Sequence, residues 1–311
     1  MPDAATPATL ILKGNGDDSD DFWEALRRWR GRGRAIDVRV TSEPGDAERF
    51  ASEAAAAGAR DVLAAGGDGT IHGVVRGLLG GGASAAGRSK PPALGIIPRG
   101  TGNDFAAALG VPDDPEEAFA IALSGAVRDV DVGWVGDHPV VNVATGGFAT
   151  EVTVDTPEQL KDALGRVSYL LTGIQRLSDF RAEPVTVRTT QGDWSGSMVA
   201  LAVGNARRAG GNVTICADAR IDDGLLDVTV IPGEGEGFGD ALGMLIEGGI
   251  DWRSLCTHFR SPWVELEAPE GLSLNIDGEP FEIRELRFEV RPGALRLRVP
   301  ECSPLLGCEE D

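Results

Sequence analysis

The chain has 311 residues, 42% of them hydrophobic, and a formal net charge of −20 at pH 7. That length points to two domains rather than one, and no apolar run approaches the roughly 20 residues that span a bilayer. The acid excess argues against a nucleic-acid partner, which needs a basic stripe. Only three lysines occur, Lys13, Lys90 and Lys161, a composition like that of proteins from salt-loving organisms. It bears on solubility and habitat rather than on fold. At about 1 M salt the Debye length is near 3 Å, so the charge would not bar contact with an anionic membrane surface. No basic leader followed by an apolar stretch opens the chain, so no secretion signal is expected. Cys216, Cys256, Cys302 and Cys308 make no metal-ligand spacing. They read as reduced residues of a cytoplasmic protein, the last two in a mobile tail.

In chain order, Ala8 to Lys13 reads as a strand running into the turn Gly14-Asn15-Gly16. Ser19 or Asp20 can cap a helix that carries Phe22, Trp23, Leu26 and Trp29. Ile36 to Val40 alternates as a second strand, and Asp46 to Ala57 forms an alanine-rich helix ended by Gly58. Val62 to Ala65 is a buried strand that breaks into Gly66-Gly67-Asp68-Gly69-Thr70, with a helical pattern from Ile71 to Leu79. Glycines at such a turn let a bulky anion approach the backbone, and the helix N-terminus behind them suits phosphate. Asp68 is the unusual member, because a carboxylate repels phosphate unless Mg²⁺ bridges them, or unless it takes a proton or holds a hydroxyl.

Gly80 to Pro92 is low in complexity and reads as a surface loop. Ala93 to Ile97 is the next strand, followed by Pro98-Arg99-Gly100-Thr101-Gly102-Asn103-Asp104-Phe105 and a helix from Ala106 to Leu109. Thr101 and Asp104 have capping-box spacing and can be read as helix punctuation. Asn103 falls in the first turn, where Asn is a poor helix former, and makes more sense contacting a ligand. Alternating strands and helices imply a parallel, Rossmann-like sheet with ligand loops at the strands' carboxyl ends. From Pro184 onward the period becomes two, in Val185–Arg188, Val228–Val230, Trp263–Leu266 and Leu295–Val299. An antiparallel β domain, a sandwich, is expected there.

The two glycine turns together resemble the diacylglycerol kinase catalytic family, especially its soluble bacterial and archaeal lipid kinases, related to sphingosine kinases and distantly to NAD kinases. Later segments are similar to further landmarks of that family: Val140–Phe148, Gly165-Arg166-Val167-Ser168-Tyr169, Val203-Gly204-Asn205, Ile221–Asp227 and Asp277-Gly278-Glu279. The resemblance runs from about Leu10 to about Val299. It departs at Lys13-Gly14-Asn15-Gly16, which lacks the family's Asn-Pro, at Cys216–Ala219, and at Arg207 and Arg208.

The resemblance implies an N-terminal α/β domain over 1–135 that binds ATP, a β-rich lipid-substrate domain over 136–300, a tail over 301–311, and an active site in the cleft between the domains. It implies Asp277 as general base toward a lipid hydroxyl, Glu279 as its supporting carboxylate or metal partner, and Asp68 as anchor of the catalytic Mg²⁺. The backbone of Gly66, Gly67 and Gly69 would cradle phosphates, with Thr70, Thr101, Asn103 and Asn15 at the nucleotide. A structural Mg²⁺ would take Asp222, Asp223 and the carbonyl of Leu225, although Asp222-Asp223-Gly224 also reads as a plain turn. Asp277-Gly278 likewise admits a hairpin-turn reading. The expected partner is a lipid alcohol, diacylglycerol or an archaeal-type ether-lipid or isoprenoid alcohol, met through peripheral and transient membrane contact. A homodimer is left open. The alternatives are an NAD kinase-type enzyme with a soluble substrate and a catalytically silent nucleotide- or lipid-binding protein.

Overall fold

In a computed structural model, which describes residues 7–14, 19–82, 91–147, 182–210, 213–233 and 256–307, the early apolar runs form parallel strands. These are β1 (Ala8–Leu12), β2 (Ile36–Val40), β3 (Asp61–Gly66) and β4 (Ala93–Pro98), in the order β4-β3-β1-β2. β1 and β4 are buried along their whole length and β3 over all but its first residue, which explains runs of continuous rather than alternating hydrophobicity. Helices α1 (Asp20–Gly31), α2 (Asp46–Ala56), α3 (Asp68–Gly77), α4 (Asp104–Leu109) and α5 (Pro115–Ser124) complete the repeat. Phe22 of α1 and Phe119 of α5 pack with ring centroids 5.5 Å apart, whereas α2 packs on α3. The strand order reverses direction between β1 and β3, so the switch point where ligands settle lies at their carboxyl ends.

The chain divides into two units. The first holds residues 1–141, 220–224 and 291–311, the second residues 142–219 and 225–290. This grouping differs from the contiguous division expected from the sequence. Asp131, on β5 (Ala126–Val135), supplies the physical reason. Its Oδ2 accepts from the Gly224 N–H at 2.6 Å and its Oδ1 from the Gly293 N–H at 2.8 Å, while its own N–H donates to Ile221 O at 2.7 Å. One buried carboxylate thus draws two distant segments into the first unit. β6 (His138–Val140) pairs antiparallel with β5.

Residues 301–307 are no mobile tail. Leu305 and Ser303 are buried, Ser303 Oγ donates to Leu109 O at 2.8 Å, and Ile221 N donates to Leu305 O at 3.0 Å. Cys302 is exposed, and Cys308 lies outside the described residues.

The second unit contains β7 (Val143–Gly147), β8 (Glu183–Thr189), β9 (Gly192–Gly204), the short pair β10 (Arg208–Ala209) and β11 (Val213–Thr214), β12 (Leu226–Pro232), β13 (Thr257–Ser261), β14 (Trp263–Ile276) and the first part of β15 (Glu279–Val299). Among the described residues its pairings are antiparallel. β8 pairs with the early residues of β9 and β14, and β7 with their late residues, so two long strands serve both layers of a sandwich-like core. A register shift between Glu267 and Leu272 interrupts the pairing of β14 with β15. Leu295–Val299, expected in this β domain, belongs instead to the first unit, where Arg296 and Leu297 pair in parallel with Ala93 and Leu94 of β4. A period of two marks a strand without naming its neighbour.

Asp131→Ala would leave the N–H groups of half-buried Gly224 and exposed Gly293 without this acceptor, and unfolding in urea should show a loss of about 1–2 kcal/mol. An unchanged midpoint would mean the clasp contributes nothing.

Candidate active site

At the carboxyl ends of β3 and β4 two strand-to-helix turns touch through their backbones. A Cβ on Gly100 would stand 2.6 Å from the Gly67 Cα, so only glycine permits this approach. The Arg99 N–H continues the ladder to Gly66 O at 3.0 Å. Asp68, the first residue of α3, then crosses to the neighbouring turn. Its Oδ2 accepts from the Asp104 N–H and its Oδ1 from the Phe105 N–H, both at 3.0 Å. These are orphan donors of the first turn of α4, and the carboxylate caps them from another helix. Burial pushes the Asp68 carboxyl above its usual range, the charge of Asp104 adds to this, and the two N–H donors oppose it.

Two readings of the second turn are corrected. α4 begins at Asp104, two residues earlier than expected, and Asn103 is its N-cap residue rather than a member of the first turn. Its left-handed backbone, φ 51°, is one that Asn tolerates, and its Oδ1 accepts from the Gly100 N–H at 2.7 Å. Thr101 is exposed and does not cap the helix, so the capping box is not formed. Gly66, Gly67, Asp68, Gly69, Thr70, Thr101 and Asn103 are therefore brought together at one edge of the first unit. The metal role expected of Asp68 meets a carboxylate whose two oxygens each already hold an N–H. Beside it, Gly14 N donates to Thr41 Oγ1 at 3.1 Å after β1, while Asn15 lies outside the described residues.

In the second unit Asp277 and Gly278 form the two-residue connection between β14 and β15, with φ of 49° and 97°. Positive φ at both positions is the I′ hairpin geometry that Asp-Gly favours, so the hairpin reading holds. The Asp277 side chain is nonetheless placed by other elements. Its Oδ1 accepts from the N–H groups of Asn142 at 2.9 Å and Val143 at 3.1 Å. The carbonyl of Asn142 in turn accepts from the N–H groups of Asn205 and Ala206, both at 2.9 Å. Three separate motifs thus meet at the start of β7. Glu279 is half-buried and opens β15. Asn142 went unassigned in the sequence reading, because a pairing made by its main chain leaves no side-chain signature. The Gly165-Arg166-x-x-Tyr169 segment lies outside the described residues.

The expected metal set fares differently. Asp222 Oδ1 accepts from Arg220 Nε at 3.0 Å and its Oδ2 from the Gly307 N–H at 3.1 Å, while Asp223 Oδ2 is 4.0 Å from the same guanidinium. Leu225 falls in the second unit. Each Asp222 oxygen thus already accepts one hydrogen bond. Among the described residues no three His, Cys, Asp or Glu side chains gather to hold a metal.

The second unit also buries a carboxyl at the end of the Ile221–Asp227 segment. Asp227 on β12 is 4% exposed, and its carboxyl is pushed up to about 6. Burial is the main cause and Asp218 adds to it, against the opposing charges of Arg260 and His258. Burial likewise pushes the Cys216 thiol well up, which makes it an inert core residue. With Asp227 near 6 in the fold against an ordinary 3.8, the unfolded chain loses this proton first. The protein should therefore lose stability, relative to Asp227→Asn, as pH rises from about 4 to about 6, by an amount on the order of 3 kcal/mol. Urea midpoints of both proteins across that window check this, and parallel curves would contradict it.

Comparison with known proteins matches residues 8–135 to the diacylglycerol kinase catalytic domain and residues 142–299 to the YegS C-terminal NAD kinase beta sandwich-like domain. A Pseudomonas aeruginosa protein named "Probable lipid kinase YegS-like" is 45% identical over 297 residues, 96% of this chain and 95% of the relative. A Stenotrophomonas maltophilia protein of the same name is 43% identical over 311 residues, 96% of this chain and 97% of the relative. Among solved structures, one titled as a diacylglycerol kinase from Bacillus anthracis str. Sterne has a TM-score of 0.70 at 21% identity, covering 95% of this chain and 97% of that one. Another chain from that organism reaches 0.77 at 24% identity, covering 95% and 98%. These structural likenesses concern the fold.

Proposed function

This chain belongs to the family of the diacylglycerol kinase catalytic domain, and we propose that it transfers the γ-phosphate of ATP to the hydroxyl of a lipid alcohol, diacylglycerol or an ether-lipid or isoprenoid alcohol. The observation that carries this reading is the pair of glycine turns joined at the carboxyl edge of the parallel sheet, where side-chain-free backbone lets a polyphosphate approach closely. Gly66, Gly67 and Gly69 cradle phosphates, and Thr70, Thr101 and Asn103 contact the nucleotide. Asn103 spends its carbonyl oxygen on Gly100 and keeps its amide nitrogen for the ligand.

Asp277 takes the proton of the acceptor hydroxyl as its oxygen bonds to the γ-phosphorus, the bond from that phosphorus to the β–γ bridging oxygen breaks, and ADP leaves. Two N–H donors on Oδ1 orient the carboxylate for this task. Glu279 supports it from the next strand. Asp68 acts as the brace of the nucleotide turns. Mg²⁺ would accompany ATP and offset its charge; Asp222 and Asp223 are not assigned to it. The acceptor is met at a membrane surface. No helix among the described residues is long and apolar enough to cross a membrane.

The test is transfer of labelled γ-phosphate from ATP, with Mg²⁺ in molar KCl, to diacylglycerol, an ether-lipid alcohol and NAD in parallel. Label is expected in an extractable lipid, with turnover reduced roughly 10²- to 10⁴-fold by Asp277→Ala. Label in NAD would move the acceptor to the soluble class. Nucleotide binding without transfer to any acceptor would overturn the enzyme reading.

A further inference from the structure

Lys13 is the residue at which the chain of β1 reaches the switch point. Its N–H donates to Ala65 O at 2.9 Å and continues the parallel ladder in which Leu12 faces Ala65, so Lys13 stands opposite Gly66. The five residues of β1 before it are buried, whereas Lys13 is exposed. Residues opposite one another in parallel strands share a face of the sheet, so the Gly66 position tells where the Lys13 side chain sets out. A Cβ on Gly66 would stand 2.6 Å from the Thr70 Cβ, in the first turn of α3. Lys13 therefore departs on the α3 face, beside the first glycine turn. Adjacent strands lie about 4.8 Å apart, a gap that its four-carbon stem spans.

Its ammonium is uncommitted. Among the described residues Lys13 makes no ion pair and no side-chain hydrogen bond, although the chain holds 49 acidic residues against 29 Lys and Arg. Exposed arginines elsewhere do find carboxylates: Arg28 pairs with Glu24, Arg49 with Asp46 and Arg287 with Glu265. The surroundings ask for a cation, because the two nucleotide turns carry the carboxyl groups of Asp68 and Asp104. Arg99, on the other side of Gly66, places its guanidinium 4.0 Å from the ring centroid of Phe22 in α1. A lysine ammonium is a compact charge with three rotatable donors, which binds phosphate without demanding a fixed fork geometry.

We propose that Lys13 is a phosphate-binding residue of the nucleotide site, its ammonium donating at the switch point between β1 and β3 to the polyphosphate of ATP. The inference rests on the ATP-using reading above and adds to it the cation that offsets the carboxyl groups of this edge.

Isothermal titration of the full chain with ATP and with adenosine at fixed salt tests it, using wild type, Lys13→Met and Lys13→Arg. Lys13→Met keeps the length of the stem and removes the charge, and should weaken ATP roughly 10- to 100-fold while leaving adenosine nearly unchanged. Lys13→Arg returns the charge and should restore most of the loss. The ATP deficit of Lys13→Met should shrink with added KCl. Equal ATP binding by wild type and Lys13→Met would overturn this inference alone. So would equal weakening of ATP and adenosine, or a Lys13→Arg variant as weak as Lys13→Met, since either would make the role one of shape rather than charge. Absence of ATP binding by wild type would sink the ATP reading together with this one.

Discussion

The first unit depends on one carboxylate reaching across two turns. Asp68 starts one helix and accepts the orphan N–H groups of the next, so the Gly-Gly-Asp-Gly-Thr and Gly-Thr-Gly-Asn-Asp motifs cannot move independently. The glycine contact between Gly67 and Gly100 is what brings the carboxylate within reach. Burial makes the charge costly, and the two backbone donors, together with the helix N-terminus, offset that cost.

The same device recurs through the molecule. Asp131 gathers Gly224 and Gly293, Asp277 takes Asn142 and Val143, and Asp46 accepts from Ser42 and Glu43. The Asp46 carboxyl is held well below its usual range by the Ser42 N–H, by Arg49 and by the Glu43 N–H. Part of the acid content of this chain is therefore internal carpentry, with carboxylates closing loops onto backbone donors. The remainder gives the surface its charge. Asp227 is the exception, a buried carboxyl near Arg260 whose ionisation the surrounding strands resist.

Much of this was legible in the sequence, for reasons that differ by element. β2 fell on its expected residues because five alternating residues between polar stretches admit one reading. The glycine turns were legible because few other sequences let backbone approach backbone. What escaped was non-local. The start of α4 could not be placed, because its cap comes from Asp68, 36 residues earlier, and not from Thr101. The return of residues 291–311 to the first unit was hidden, since alternation in Leu295–Val299 is the same whichever sheet receives the strand. The pairing of Asp222 with the Gly307 N–H was hidden in the same way, because 85 residues separate the two. The hairpin and base readings of Asp277 proved compatible, because the turn fixes the backbone while Asn142 and Val143 fix the side chain.

The most direct test of the brace is amide hydrogen exchange at Asp104 and Phe105, followed by NMR in the wild type and in Asp68→Ala. These two N–H groups precede the first intrahelical bond of α4 and donate to the Asp68 carboxylate instead. Protection in the wild type that vanishes at these amides in the variant, while the Ala107 amide keeps its bond to Asn103 O, is the predicted result. Fast exchange at both amides in the wild type, or protection untouched by the substitution, would contradict the account.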